Sequence, residues 1–284
     1  MDRSPRLLVI DGSNLLFQMF FGMPSRITNS EGRAIHGTLG FVGALRKMLI
    51  RLKPTHVVVL FDGEHANPRA EISPTYKSNR PDMSDADESE NPFSQLPDVY
   101  SALDFLGIRH AETVNCEADD WMASYALNYA SVAEVILASF DSDLFQLITD
   151  RVSVFRYRGD RSTICTPQFI REKYGVEPAL YADFKALVGD SSDNIAGVPG
   201  VGPKTAAHLI NTYGNVENII NNVNCIARQS IRNSIISSIP QIQTNYRLIK
   251  LSAKYTPPFQ LHELLYSNNE FSTQELLRNA GIMK

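Results

Sequence analysis

Short apolar runs rich in β-branched residues alternate with amphipathic stretches through the first half of the chain. Residues 7–10 and 56–61 are such runs, and each leads directly to an aspartate, Asp11 or Asp62. Runs of this length predict buried strands. Residues 134–139 predict a third strand, ending just before Asp141, and residues 152–155 a further one. Between them, residues 37–52 carry apolar side chains at helical spacing up to Pro54, and residues 96–106 and 117–130 predict two more helices. Strands alternating with helices imply an α/β fold, with a mostly parallel central sheet covered by helices on both faces.

Two segments break this pattern. Residues 63–95 are polar, punctuated by prolines and without apolar period; so long a loop in a compact domain is expected to carry function. From Pro167 onward the strands are expected to stop, and short helical stretches take over around the glycine-rich Gly197-Val-Pro-Gly-Val-Gly-Pro203. The expected organisation is an α/β body over residues 1–166, including the excursion 63–95, and a helical module over residues 167–284.

Composition narrows the class. A chain of 284 residues with 43% hydrophobic content can bury a full core. No apolar run approaches the roughly 18–20 residues that span a bilayer, and residues 7–10 are too short for a signal-peptide core, so a cytoplasmic protein is expected. Cys116, Cys165 and Cys225 are scattered without a Cys-x-x-Cys pair, which gives neither a zinc site nor a disulfide framework.

The aspartates Asp11, Asp62 and Asp141 follow three separate strands at the ends where parallel sheets bind ligands. Glu117 and Asp120 are spaced to share a helical face with Asp119 at its flank; Asp141 and Asp143, then Asp190 and Asp193, add two more close pairs. Singly, each has an ordinary role as turn former, helix cap or dipole partner. Together they form a constellation. Carboxylates about 4 Å apart repel by about 4 kcal/mol at an effective dielectric near 20, so a cluster stays ionised only around cations. With no His or Cys among them, hard ions such as Mg²⁺ or Mn²⁺ are favoured. Two such ions would suit phosphodiester hydrolysis. The net charge of −4 becomes +5 once these nine carboxylates are set aside, and +10 without the acidic run Asp82, Asp85, Asp87, Glu88 and Glu90. A basic surface around an acidic pocket is compatible with DNA.

The stretches Val9-Ile-Asp-Gly-Ser-Asn14, Leu60-Phe-Asp62, Tyr76-Lys-Ser-Asn-Arg-Pro81, Glu117-Ala-Asp-Asp120, Asp141-Ser-Asp143 and the run 189–205 resemble, in order and spacing, the 5′-nuclease domain of bacterial DNA polymerase I and the flap endonucleases. The resemblance implies a PIN-like 5′-nuclease fold and two metal clusters. One comprises Asp11, Asp62, Glu117 and Asp119 with Asp120 nearby; the other comprises Asp141, Asp143, Asp190 and Asp193. It implies a helical arch over residues 63–95, where Tyr76, Lys77 and Arg80 engage the 5′ strand and scissile phosphate, with Lys77 and Arg80 catalytic beside Asp11, Asp62 and Asp120. It further implies a helix-hairpin-helix element over residues 189–213. There Val198, Gly200, Val201, Gly202, Lys204 and Thr205 grip duplex backbone, with a K⁺ ion as an optional addition. The implied activity is structure-selective 5′→3′ exonuclease and flap endonuclease cleavage of DNA, in replication or repair.

Nucleotide cofactors are not expected. Pro203 between Gly202 and Lys204 breaks a Walker A match, and Asp11-Gly-Ser-Asn stands where a dinucleotide-binding Gly-x-Gly-x-x-Gly would begin. Two departures from the family pattern stand out: Gln18 in place of a basic residue, and Phe140 in place of a glycine before Asp141. The end of the chain, without polymerase domain or clear sliding-clamp peptide, resembles a stand-alone bacterial or phage enzyme. The rival readings are a non-catalytic DNA-junction binder and a related ribonuclease.

Overall fold

The computed structural model describes residues 4–64, 68–80, 87, 90–267 and 271–283. In chain order the body runs β1 (Arg6–Asp11), α1 (Gly12–Gly22), α2 (His36–Leu52), β2 (His56–Phe61), α3 (Pro68–Ile72), α4 (Leu96–Phe105), β3 (Arg109–Glu112), α5 (Ala118–Tyr129), β4 (Glu134–Ala138), β5 (Val152–Arg156) and β6 (Thr163–Cys165). The remainder runs α6 (Pro167–Tyr174), α7 (Tyr181–Val188), β7 (Gly189–Asp190), β8 (Ile195–Ala196), α8 (Pro203–Tyr213), α9 (Val216–Asn221), α10 (Gln229–Ser237), α11 (Ile239–Ile249) and α12 (Thr273–Asn279).

The main sheet has the order β3-β2-β1-β4-β5-β6, all parallel except β6, which runs antiparallel to β5. Central β1 buries Leu7, Leu8, Val9 and Ile10 completely because both sheet faces are covered. Leu7 and Val9 enter one core with α5 and the C-terminal helices; Leu8 and Ile10 enter a second with α1, α2 and α4. The first core also takes in Phe145, Phe184, Leu187, Leu209 and Ile235, so the helical module is fused to the sheet through shared apolar packing.

Strand order positions the site. β1 pairs with β2 on one side and β4 on the other, which makes its carboxyl end a topological switch point, where open α/β sheets form their binding crevice. The register sets Asp11 beside Leu60, two residues before Asp62, and Ile10 beside Ala138, three before Asp141.

The expected strands and helices are present, with differences at polar places. β3 and β6 are short and largely half-exposed or exposed, so no apolar run marks them. Strands do not stop at Pro167, since the two-residue strands β7 and β8 form a small hairpin. The closing helix α12 packs back on the body through Leu276 and Leu277, with Ile282 just beyond it, against Ile35, Val42 and Ala102. Within residues 63–95 the described part holds the five-residue α3 and a 3-10 turn at Pro92–Gln95. Pro81, Asp82, Asp85 and Glu88, and with them part of the expected arch and acidic run, lie outside the described residues.

Candidate active site

Each strand-end aspartate is held by a neighbour. Asp11 caps α1: its Oδ1 accepts from the Asn14 N–H at 2.9 Å, and its Oδ2 from the Ser139 hydroxyl at 2.8 Å. Asp62 Oδ1 accepts from the Ala118 N–H at 2.8 Å, which docks β2 onto the first turn of α5. Asp141 Oδ1 accepts from the Asp143 N–H at 2.7 Å. The ordinary capping and turn roles are therefore real, and they aim the remaining carboxylate oxygens.

Those oxygens share one pocket. Burial, then Asp62 and Asp141, pushes the Asp11 carboxyl up to about 7. Burial, then Asp141 and Asp11, holds Asp119 well above the usual carboxylate range. Desolvation by the surrounding walls raises Asp62 as well, although the residue stands exposed at the pocket edge, with Glu117 adding to it. The buried Oδ1 of Asp119 has no hydrogen-bond partner among the described residues. The bonds that tie Asp11 and Asp141 to the same Ser139 hydroxyl, and Asp62 to the start of α5 between Glu117 and Asp119, bring residues 11, 62, 117, 119 and 141 to one sheet edge, in keeping with that repulsion.

On the opposite wall, oxygens of Asp143, Asp190 and Asp193 lie within 4.8 Å of one another. A resident cation sits among them. Lys185, on α7 and 5% exposed, bonds Asp143 and Asp190 and reaches the Ser142 hydroxyl at 3.2 Å. Burial opposes the lysine's charge, yet Asp143, Asp190 and Asp141 raise its pKa above the ordinary value. Asp190 is correspondingly lowered, Lys185 outweighing burial. Asp143 is pushed up to about 7 by burial and Asp141, against Lys185.

Three further cations line the mouth and flank. Lys77, in a left-handed conformation with φ 57°, pairs with Glu117 while its N–H donates to the Asp193 carbonyl at 3.0 Å. Arg80 pairs with Asp193 at 2.7 Å, and the buried Tyr76 donates its hydroxyl to Glu117 at 3.3 Å. Arg69, 7% exposed on α3, bonds Glu117, grips Asp120 at 2.9 and 3.0 Å, and donates to the Leu248 carbonyl at 2.9 Å.

This pairing corrects two sequence expectations. Asp120 gives both oxygens to Arg69, and Oδ1 also accepts from the Ser252 N–H at 2.8 Å, so it braces the C-terminal helices instead of facing the pocket. Glu117 is not a helical residue but the extended N-cap of α5, from which it meets Arg69 Nη1 together with Asp120. Sequence reasoning missed Arg69 and Lys185. Arg69 lies in a polar stretch without period, but Lys185 was visible as the one lysine in the mostly apolar run Tyr181–Val188.

The hairpin element follows α7. Gly189, at φ 83°, and Gly197 let two backbones touch: a Cβ on Gly197 would lie 2.1 Å from the Val188 carbonyl oxygen. Gly200, Gly202 and Lys204 are exposed and Thr205 half-buried, whereas Val198 and Val201 are 3% and 5% exposed in the core. Only the backbone of those two valines is available to a ligand. Gly202 caps α8 without a side-chain bond, and Pro203 stands at the first helical position. The early amides of α8 therefore point outward at an anion-favouring end.

A buried carboxylate pocket at a switch point, beside a hairpin suited to phosphate, defines a nuclease-like α/β protein. The profile of the 5′-3′ exonuclease N-terminal, resolvase-like domain matches residues 6–175, and that of the 5′-3′ exonuclease C-terminal SAM fold matches residues 176–272. The chain belongs to the 5′-3′ exonuclease family. It is 33% identical over 252 residues to the 5′-3′ exonuclease of Buchnera aphidicola, covering 87% of this chain and 84% of that one. It is 33% identical over 247 residues to the thermostable DNA polymerase I of Thermus thermophilus, where it spans 87% of itself but only 28% of the polymerase. Among solved structures, the zinc-bound 5′-exonuclease of phage T5 matches with TM-score 0.69 and 27% identity over 86% of this chain and 89% of that chain. The catalytic core of Rad2 in complex with DNA substrate shares the fold, with TM-score 0.58 and 17% identity over 89% and 81% of the two chains.

Proposed function

We propose that this protein is a divalent-metal-dependent, structure-selective 5′ nuclease that hydrolyses DNA phosphodiesters near single-strand/duplex junctions, as 5′→3′ exonuclease and flap endonuclease. The observation that carries it is the gathering of acids at the sheet edge, where burial and neighbouring carboxylates disfavour the charged forms of Asp11, Asp62, Asp119 and Asp143, next to the close group Asp143, Asp190 and Asp193. The orphaned Asp119 oxygen fits a bound cation, and an all-oxygen donor set fits Mg²⁺ or Mn²⁺. Asp11, Asp62, Glu117 and Asp119 would hold one ion, and Asp143, Asp190 and Asp193 a second, with Asp141 near both groups. Such ions supply Lewis acidity, lowering the pKa of an attacking water and offsetting charge on the phosphate.

The chain's own groups do the rest. Lys77 and Arg80 stand at the mouth with carboxylate partners that an incoming phosphate replaces; lysine offers it a compact charge, arginine a two-pronged clamp. The hairpin 197–205 grips duplex backbone through the amides of Gly200, Gly202 and Thr205 and through Lys204, without reading sequence. A K⁺ ion against that loop's carbonyls belongs to the same reading. A solved T5 relative, a flap endonuclease in complex with DNA and metal ions, supports the DNA and metal parts of this reading.

A direct check is incubation of a 5′-labelled flap duplex with the protein and Mg²⁺. Release of short 5′ fragments cut near the junction, and their loss in chelator, is the expected result. Binding without cleavage at saturating protein would make it a junction binder, and preference for an RNA flap would make it a ribonuclease.

A further inference from the structure

The cations around the pocket differ in what they are paired with. Lys77 and Arg80 neutralise Glu117 and Asp193, and Lys185 neutralises Asp143 and Asp190. On the β4–β5 side the arginines have no carboxylate within ion-pair distance among the described residues. Arg156 ends β5, and Arg158 and Arg161 lie in the turn to β6, with Asp160 as the one acidic residue among them. Phe140, the residue before Asp141, organises this side. Its N–H is held by the Asn14 Oδ1 at 3.1 Å, and its carbonyl accepts from Arg156 Nη2. The Arg156 guanidinium lies 5.1 Å from the Phe140 ring centroid and 5.4 Å from that of Phe145, so it is the inner member. The Arg158 guanidinium lies 4.9 Å from the Phe140 centroid, on an exposed residue whose side chain makes no hydrogen bond to the described residues.

A cation stacked on an aromatic ring keeps its N–H edges for another acceptor and loses little rotamer freedom on binding one. We propose that the Phe140–Arg158 stack is a backbone-phosphate contact on the β4–β5 rim, which receives the DNA strand opposite the hairpin 197–205. The unusual Phe140 thereby gains a role, fixing a positive group beside a pocket whose acids repel the same polyanion. This rests on the proposed nuclease function and adds a contact to it.

Fluorescence polarisation with a labelled 5′-flap duplex in Ca²⁺, over a range of salt concentrations, tests it. Arg158→Ala is expected to weaken binding about five- to tenfold near physiological salt and to flatten the log Kd–log salt slope by about one. Phe140→Leu should weaken binding in the wild-type background and add nothing in the Arg158→Ala background, the signature of one coupled unit. Unchanged affinity and slope in Arg158→Ala, with the wild type binding and cutting flaps normally, would overturn the contact alone. A wild type that neither binds nor cuts DNA would instead overturn the proposed function.

Discussion

On the β1–α5 wall of the pocket, the buried Asp11 and the half-buried Asp119 repel each other and Asp141, and one buried Asp119 oxygen is orphaned among the described residues. On the α7 wall, Asp143 and Asp190 close around Lys185, and Asp193 is met by Arg80. Both walls are acidic and both meet cations, yet on the α7 wall Lys185 lies directly between two carboxylates, whereas Asp11 and Asp119 have no ion pair among the described residues and only their neighbour Glu117 is met by Lys77 and Arg69. On the proposed reading the contrast separates two uses of a carboxylate cluster: the first wall takes its cation from solution, while the second folds around its lysine and exchanges it to take up an ion.

The largest expected effect tests the first wall. Asp11→Ala should reduce single-turnover flap cleavage by about 10³-fold or more, the scale of losing a principal electrostatic contact at a reacting centre. Flap binding in Ca²⁺ should change little; near-normal cleavage would remove Asp11 from the site. Next comes the brace behind that wall. Arg69→Met leaves Asp120 and Glu117 buried beside one cation fewer and should cost about 3–5 kcal/mol of stability by urea unfolding. Adding Asp120→Asn should recover part of that loss, and an additive further loss would show that Arg69 acts through something other than its ion pairs.

A smaller effect tests the second wall. Lys185→Met should tighten Mn²⁺ binding by about tenfold, well inside the roughly 4 kcal/mol that one unit charge at 4 Å can exert at an effective dielectric near 20. Titration calorimetry reads it directly, and unchanged affinity would mean the lysine does not compete with an ion. The smallest effect is on pH dependence. Asp11 and Asp143 are raised from 3.8 to about 7 in the folded protein. In chelator, the stability they contribute is therefore complete below about 4 and is lost as pH rises through about 7. A bound divalent ion reverses that loss. The Mg²⁺-induced rise in Tm should thus grow from near zero at acidic pH to several degrees above neutrality. His36 and His56, lowered by burial, pull the other way but act with and without metal, so they cancel in the difference. A Tm shift independent of pH would contradict the assignment.

The parts legible in the sequence were those whose physics is local. Residues 7–10 and 56–61 announce themselves because strands buried on both faces must be continuously apolar. Asp11, Asp62 and Asp141 could be picked out because each ends such a run. β3 has no comparable run, since Arg109 and Glu112 at its ends face solvent. What distinguishes Asp119 from Asp120 is tertiary: Arg69 reaches one and not the other from a segment about fifty residues away. Lys185 carried a readable signal as the one lysine in a mostly apolar helix, but its partners come from two other segments. Phe140 was conspicuous, and its meaning depended on arginines that only the β5–β6 turn brings beside it.

The proposed chemistry depends on carboxylates remote in sequence enclosing a space that a divalent ion completes. Anomalous diffraction from crystals soaked in Mn²⁺ examines that space directly. The expected map has a peak within bonding distance of Asp11 and the orphaned Asp119 oxygen, and a second, weaker one near Asp143, Asp190 and Asp193 where Lys185 gives way. A fully ordered pocket with no anomalous density at saturating Mn²⁺ would contradict it.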